Sequence, residues 1–282
     1  ALGDFRSLEE MRDSAKRAKR MPSFENAFRN LYCNQRVDAE SPMIPRMEWE
    51  ACLGDAEIGP GEEIYLGLDL SGKTDLTALV GVSNGEKDKI KAWFWKPEES
   101  LREHEKRDRV PYPVWAQQGF VETTPGRAIQ YEYVAERLAR INEDFKVIGL
   151  AFDRYRIDDL LNAMGRIGLD AYVDGKDKAR SGALRMVPWG QGFKDMTGAV
   201  EALEGSILDR RFVHDGNPVL TWNMSNAVTI SDPAGNRKLD KSKSRFRIDG
   251  AVAAAMAVGL KSRDRSENAG PSVYESRGIL TI

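Results

Sequence analysis

The sequence predicts a mixed α/β fold: an antiparallel three-strand meander followed by parallel strands, flanked by helices. Three observations predict it. Residues 64–95 hold three strand-like runs joined by short turns, with Asn84-Gly85 as a tight-hairpin signal between the second and third. Val147–Phe152 is a short continuous apolar run, as in strands that parallel sheets bury on both faces. Helical periodicity recurs between and after these runs, and strands first, then strand–helix alternation, gives a mixed sheet with helical layers.

Two helices are expected over 7–33. Leu8, Met11, Ala15 and Ala18 share a face, and Ser7 with Glu10 forms a capping-box pattern. Pro22 opens the second helix, which holds Phe24, Ala27, Phe28 and Leu31. Residues 34–62 carry Pro42, Pro45 and Pro60 and read as a connector with one short helix at Met47–Leu53. The character changes at Glu63. Ile64–Leu70, Thr74–Val82 and Ile90–Trp95 are the three meander strands. Helices follow at 98–110 and Tyr131–Phe145, then the buried strand Val147–Phe152 and a helix at Ile157–Ile167. Residues 170–190 read as loop-rich, Phe193–Leu208 as a helix, Asn217–Ile230 as mixed, and Asp232–Asn236 as a turn. An Ala-rich helix at Ile248–Leu260 closes the pattern, and a polar tail expected to be mobile starts at Ser262. The expected division is a helical linker at 1–60, a main domain at 61–262 and a tail at 263–282.

The chain has 282 residues, 41% hydrophobic and 30% charged, the profile of an ordinary soluble protein with a sizeable core. No apolar run approaches the roughly 20 residues that span a bilayer, and the first residues lack a signal core. The sequence starts without Met and is expected to be an excised fragment or a processed chain. Its net charge of −2 gives no global basic field. Two cysteines, Cys33 and Cys52, argue for a reducing compartment and against a disulfide framework. With only two histidines, His104 and His214, a zinc site is not supported. Carboxylates dominate, so any metal is expected to be hard, Mg²⁺ or Mn²⁺.

Gly67-Leu-Asp-Leu-Ser-Gly72-Lys73-Thr74 fits the phosphate-loop pattern letter for letter. That pattern needs a helix after the loop. The residues after Thr74 instead alternate, carry β-branched side chains and end in a hairpin turn, so a strand is expected. Asp69 is the odd charge in an apolar strand. It either finds a cation or caps the turn at Ser71-Gly72. Asp153 ends the run Val-Ile-Gly-Leu-Ala-Phe and precedes a helix, where functional groups of open sheets collect, or where an N-cap sits. Asp249 opens the Ala-rich helix, where a carboxylate is also favourable on dipole grounds alone. Each is ambiguous singly. Together they fit a chemistry in which two hard cations, about 4 Å apart, clamp the attacking and leaving oxygens of a phosphodiester.

At these residues the sequence resembles the nuclease domain of phage terminase large subunits, in particular the HK97-like group. The carriers are Tyr-Leu-Gly-Leu-Asp69-Leu-Ser with Asp75-Leu-Thr-Ala, Ala-Phe-Asp153-Arg-Tyr-Arg, Gly190-Gln-Gly-Phe-Lys-Asp-Met, His214-Asp-Gly-Asn217-Pro-Val-Leu, and Lys241-Ser-Lys-Ser-Arg-Phe-Arg-Ile-Asp249-Gly. The resemblance runs from Met21 to Leu260 and implies an RNase H-like sheet and an endonuclease cutting double-stranded viral DNA during genome packaging. It implies that Asp69, Asp153 and Asp249 are the metal-binding, catalytic acids for two Mg²⁺ or Mn²⁺ ions. It implies a longer protein with an N-terminal ATPase domain, working with a terminase small subunit and capsid portal in the host cytoplasm, without membrane. Lys73, Arg154, Arg156, Lys241, Lys243, Arg245 and Arg247 flank the acids as candidate DNA phosphate contacts, or as a solvated edge. His214 is expected to bond locally, Trp93 and Trp95 to pack a core face, and the cysteines to be buried. The competing readings are a non-catalytic docking module of a packaging motor and a phosphate-loop ATPase using Gly67–Thr74.

Overall fold

The computed structural model describes residues 7–20, 28, 32, 42–70, 76–154 and 157–268. Helix α1 (Leu8–Arg20) comes first, as its apolar face predicts. The second expected helix, at 22–31, lies almost wholly outside the described residues, as do Cys33 and the end of the tail. The short α2 (Arg46–Glu50) follows, within the region read as a connector. Met43, Ile44, Trp49 and Cys52 there are buried in the core.

Strands β1 (Glu63–Asp69), β2 (Thr77–Ser83) and β3 (Asp88–Pro97) form the antiparallel meander. Helices α3 (Leu101–Asp108) and α4 (Tyr112–Gln117) lead to β4 (Glu122–Thr124). Helix α5 (Tyr131–Asp144) feeds β5 (Lys146–Phe152), which lies parallel to β1. Helix α6 (Ile157–Arg166), β6 (Ala171–Val173), β7 (Leu184–Pro188), α7 (Phe193–Leu208), β8 (Phe212–His214) and α8 (Pro218–Asn226) follow. The hairpin β9 (Thr229–Ser231) and β10 (Arg237–Leu239) turns at Asp232–Asn236, and α9 (Asp249–Asn268) ends the described chain. The main sheet has eight strands in the order β4-β3-β2-β1-β5-β7-β6, with β8 beside β3. This is the RNase H-like mixed sheet flanked by helices.

Two readings are corrected, and the stretch read as mixed at Asn217–Ile230 resolves into a helix and the start of a strand. Residues 170–190 contain two strands, β6 and β7, that pair in parallel. They are three and five residues long, too short to declare a period, and Arg185 breaks the apolar pattern of β7, where Asp174 and Asp264 bond it at 2.7 and 2.5 Å. Residues 218–226 are helical because Asn217 caps them, accepting from the Val219 and Leu220 amides at 3.0 and 3.1 Å. Helix α9 runs to Asn268, past the expected start of the tail, because its polar residues Lys261 and Asp264 are buried in ion pairs.

The sheet carries a core on each face. Residues on one face of the strands pack against α7, α8 and α9, among them Tyr65, Ala78, Phe94 and Ala151. On the other face Leu66, Leu68, Trp95, Leu150 and Phe152 meet α5 and α6. Alternation along each strand therefore divides side chains cleanly between two helical layers. No helix among the described residues is long and apolar enough to cross a membrane.

Candidate active site

Period-two alternation assigns Asp69 to a face. Tyr65 lies in the core under α9, and Gly67 lies against α9 itself. Asp69, two residues on, shares that face. Register assigns Asp153 likewise. Leu68 pairs with Phe152 in the parallel β1–β5 ladder, so Asp69 and Asp153 leave adjacent strand ends side by side. Gly149 and Ala151 face the α9 layer, so Asp153 does too. Gly67 touches Ala253, and Gly149 touches Leu260, so α9 runs antiparallel to these strands. Its first residue, Asp249, therefore meets their carboxyl ends, where functional groups of open sheets gather.

Close packing fixes α9. A Cβ on Gly67 would lie 2.1 Å from the Ala253 carbonyl oxygen and 2.7 Å from the Ala257 nitrogen, so only glycine permits this approach. A Cβ on Gly250 would meet the Phe94 ring at 2.9 Å. The Gly250 amide donates to Asn223 Oδ1 at 2.8 Å, tying the start of α9 to buried α8.

The structure joins two of the three acids through a lysine. Lys241 Nζ donates to Asp69 Oδ2 at 2.7 Å and to Asp249 Oδ1 at 2.9 Å. Both aspartates are buried, and Asp249 Oδ2 has no hydrogen-bond partner. Burial is the largest influence on Asp69 and pushes its carboxyl up to about 7; Lys241 opposes the rise, while Asp249 and Asp153 add to it. Lys241 is disfavoured by burial, but the two carboxylates outweigh that and hold its ammonium charged. Asp153 is half-buried beside them. Among the described residues, no three His, Cys, Asp or Glu donors stand close enough together to hold a metal ion. The donor chemistry nonetheless fits a hard cation: buried carboxylate oxygens, one of them unpartnered, around a positive charge.

The basic run splits by position. Lys241 is engaged with the acids, and Arg247 turns inward to Asp108 at 3.7 Å. Lys243 and Arg245 are exposed, Arg245 over the Phe246 ring. Arg154 is exposed beside Asp153. Lys73 and Arg156 lie outside the described residues. The Gly67–Thr74 stretch lacks the context a phosphate loop needs, since the next described element is β2, a strand antiparallel to β1 with Ala78 opposite Asp69.

His214 bonds locally. Its Nδ1 accepts from the Gly216 amide at 3.1 Å, so Nε2 carries the proton and donates to the Trp49 carbonyl at 2.9 Å. Trp93, Phe94 and Trp95 pack the cores, and Cys52 is buried. Sequence reasoning missed a buried polar cluster near the site. Lys96 Nζ meets His104 Nδ1 at 2.9 Å and lies 4.4 Å from the Tyr112 ring centre, and the Tyr112 hydroxyl donates to Asp108 at 2.9 Å. Its members lie in charged or mixed stretches with no periodic signal. Asn223 was equally invisible, because its partner is 27 residues away.

An RNase H-like sheet flanked by helices, with Asp69 and Asp249 joined across Lys241 at its central strand end, defines the class by its fold. The chain belongs to the terminase large subunit, endonuclease domain family, whose pattern matches residues 1–264. It is 46% identical over 274 residues to the large terminase subunit of Enterobacteria phage HK97, covering 96% of this chain and 51% of that one. It is 26% identical over 281 residues to Protein YmfN of Escherichia coli (strain K12), covering 94% of this chain and 58% of that one. The crystal structure of the HK97 bacteriophage large terminase superposes with a TM-score of 0.69 at 46% identity, covering 92% of this chain and 52% of that chain. The chain thus spans about half the length of the HK97 protein.

Proposed function

We propose that this chain is a metal-dependent endonuclease that cuts double-stranded DNA during viral genome packaging. Asp69, Asp153 and Asp249 are the residues that would hold two Mg²⁺ or Mn²⁺ ions. In this reading the chain is the nuclease part of a packaging motor. It acts in the host cytoplasm with an ATPase domain, a small terminase subunit and the capsid portal. The supporting observation is the meeting of two buried carboxylates, Asp69 and Asp249, across one ammonium, with Asp153 on the neighbouring strand end.

Bound there, a pair of divalent ions supplies the charge that activates water and stabilises the departing 3′-oxygen. The protein's own groups do the rest. Asp69 is rigid because it ends the central strand and is buried. Asp249 is rigid because α9 is pinned at Gly67 and Asn223. Exposed Lys243, Arg245 and Arg154 offer phosphate contacts that position a backbone without reading sequence. The raised Asp69 carboxyl means that protons compete with cations for it.

The test is nicking of a supercoiled plasmid with Mg²⁺, Mn²⁺ or EDTA. Cleavage is expected with either ion, none with EDTA, and about a thousandfold less in Asp69→Asn or Asp249→Asn. Metal-dependent nicking that persists undiminished in Asp69→Asn would remove the catalytic assignment. One observation favours a non-catalytic docking role, the lysine bridge between two of the acids. Absence of nicking and of Mn²⁺ binding in the unaltered chain would select it.

A further inference from the structure

We propose that Lys241 is an exchangeable counter-ion: its ammonium sits between Asp69 and Asp249 where a divalent cation would bridge them, and cation binding moves it onto a DNA phosphate. The inference rests on the nuclease reading above. It adds a coupling between metal loading and DNA engagement.

Four observations carry it. First, one ammonium reaches both carboxylates, at 2.7 and 2.9 Å, so a cation bridging the same two oxygens cannot share the space. At such separations like charges repel strongly in a site shielded from water, so lysine and metal exclude each other. Second, charge and bonding there are incomplete. Among the described residues, Asp69 and Asp249 face a single lysine, Asp153 stands adjacent, and Asp249 Oδ2 is buried without a partner. A cation that takes more oxygen ligands completes what the lysine leaves open.

Third, Lys241 is built to leave. Its side chain is 49% exposed, although its ammonium contacts buried acids, so an open path to solvent exists. The backbone beneath it is held. Asp240 Oδ1 accepts from the Ser242 amide and hydroxyl at 2.8 and 2.7 Å, and the Asp240 carbonyl accepts from Ser244 Oγ at 2.8 Å. The turn therefore stays in place while the flexible four-carbon stem swings. Fourth, other cations stand on the same segment. Lys243 and Arg245 are exposed on the same segment and mark the side from which an anionic backbone approaches.

The experiment uses the 282-residue chain. Titration calorimetry with Mn²⁺ compares the unaltered protein with Lys241→Ala and Lys241→Met. Both variants should bind Mn²⁺ at least tenfold more tightly, since the competing charge is gone. Equal or weaker binding overturns the proposal. Reductive methylation read by mass spectrometry tests the unaltered protein directly. Lys241 should label slowly in EDTA and faster with Mg²⁺, and adding a non-cleavable duplex should slow labelling again. Labelling unaffected by Mg²⁺ overturns the proposal even if the variants misfold. Were no Mn²⁺ bound by either the unaltered protein or the variants, the nuclease reading would fall as well, which separates the two outcomes.

Discussion

Two lysine–aspartate clusters flank the ends of α9, and they are built on opposite principles. At the far end, Lys261 is buried and donates to the Ser83 carbonyl at 2.7 Å, the Gly85 carbonyl at 3.1 Å and Asp88 Oδ1 at 2.5 Å. The other Asp88 oxygen accepts from the Ser206 hydroxyl. Every lysine proton has an acceptor, and the one buried anion, Asp88, is paired by Lys261 and also by Arg211 at 3.6 Å. At the near end, Lys241 is half exposed, serves two carboxylates, and leaves one oxygen unpartnered. A saturated pair locks the turn between β2 and β3 to the helix. An unsaturated one retains capacity to bind. A buried ion pair by itself does not announce function; incomplete pairing does.

Substitutions that separate the two roles break or sharpen this contrast. The largest effect is expected at the near end. Asp69→Asn should lose about 4 kcal/mol of transition-state stabilisation, roughly a thousandfold in nicking rate, with a melting temperature close to the unaltered protein. At the far end Lys261→Met should do the reverse. It leaves buried Asp88 with only the half-exposed Arg211 as counter-charge, and denaturant titration should show a loss of about 3 kcal/mol with nicking per folded molecule retained. Should it abolish nicking in folded protein, the far cluster is not merely structural.

A smaller effect is expected at Asp108. Burial would raise its carboxyl, but hydrogen bonds from Arg107 and Tyr112 and the Arg247 charge hold it below the usual range. A depressed folded value adds stability above the unfolded value near 4 and loses it as pH falls through the folded value. Asp108→Asn should therefore cost about 1.5–3 kcal/mol at neutral pH and flatten the acid side of the stability curve. An unchanged acid limb would remove Asp108 from the proposed charge balance. The smallest effect is expected from Arg245→Ala. Its exposed guanidinium should not affect stability, while the salt dependence of DNA binding should weaken by about one charge. A large stability change there would show that Arg245 is not a free surface cation.

The long, periodic parts of this fold were legible in the amino-acid sequence. Helices α5, α6 and α7 and strand β5 stand within a residue or two of their apolar patterns. The meander was legible because Asn84-Gly85 marks its turn, and the phosphate-loop match failed for the reason its following residues suggested. Strands β4, β6 and β8 span only three residues each and are defined by their neighbours rather than by their own composition. At the site, each aspartate was visible as a charge where apolar residues dominate. Lys241 was legible as a cation close to Asp249, eight residues away, but not as a partner of Asp69, because that contact closes over 172 residues of chain. Asn223 and the Tyr112–Asp108 pair left no mark, since buried hydrogen bonds have no period.

The contact at Gly67 sets a one-way limit on how the site can be altered. Backbone of the helix rests against bare backbone of the strand, with no side chain between them to trim. Any larger residue at 67 can only lift the helix, and Asp249 with it, away from the sheet. Engineering or drift at this position can therefore widen the gap between the acids, yet never narrow it. Any change that brings the acids closer together would have to come from other parts of the fold.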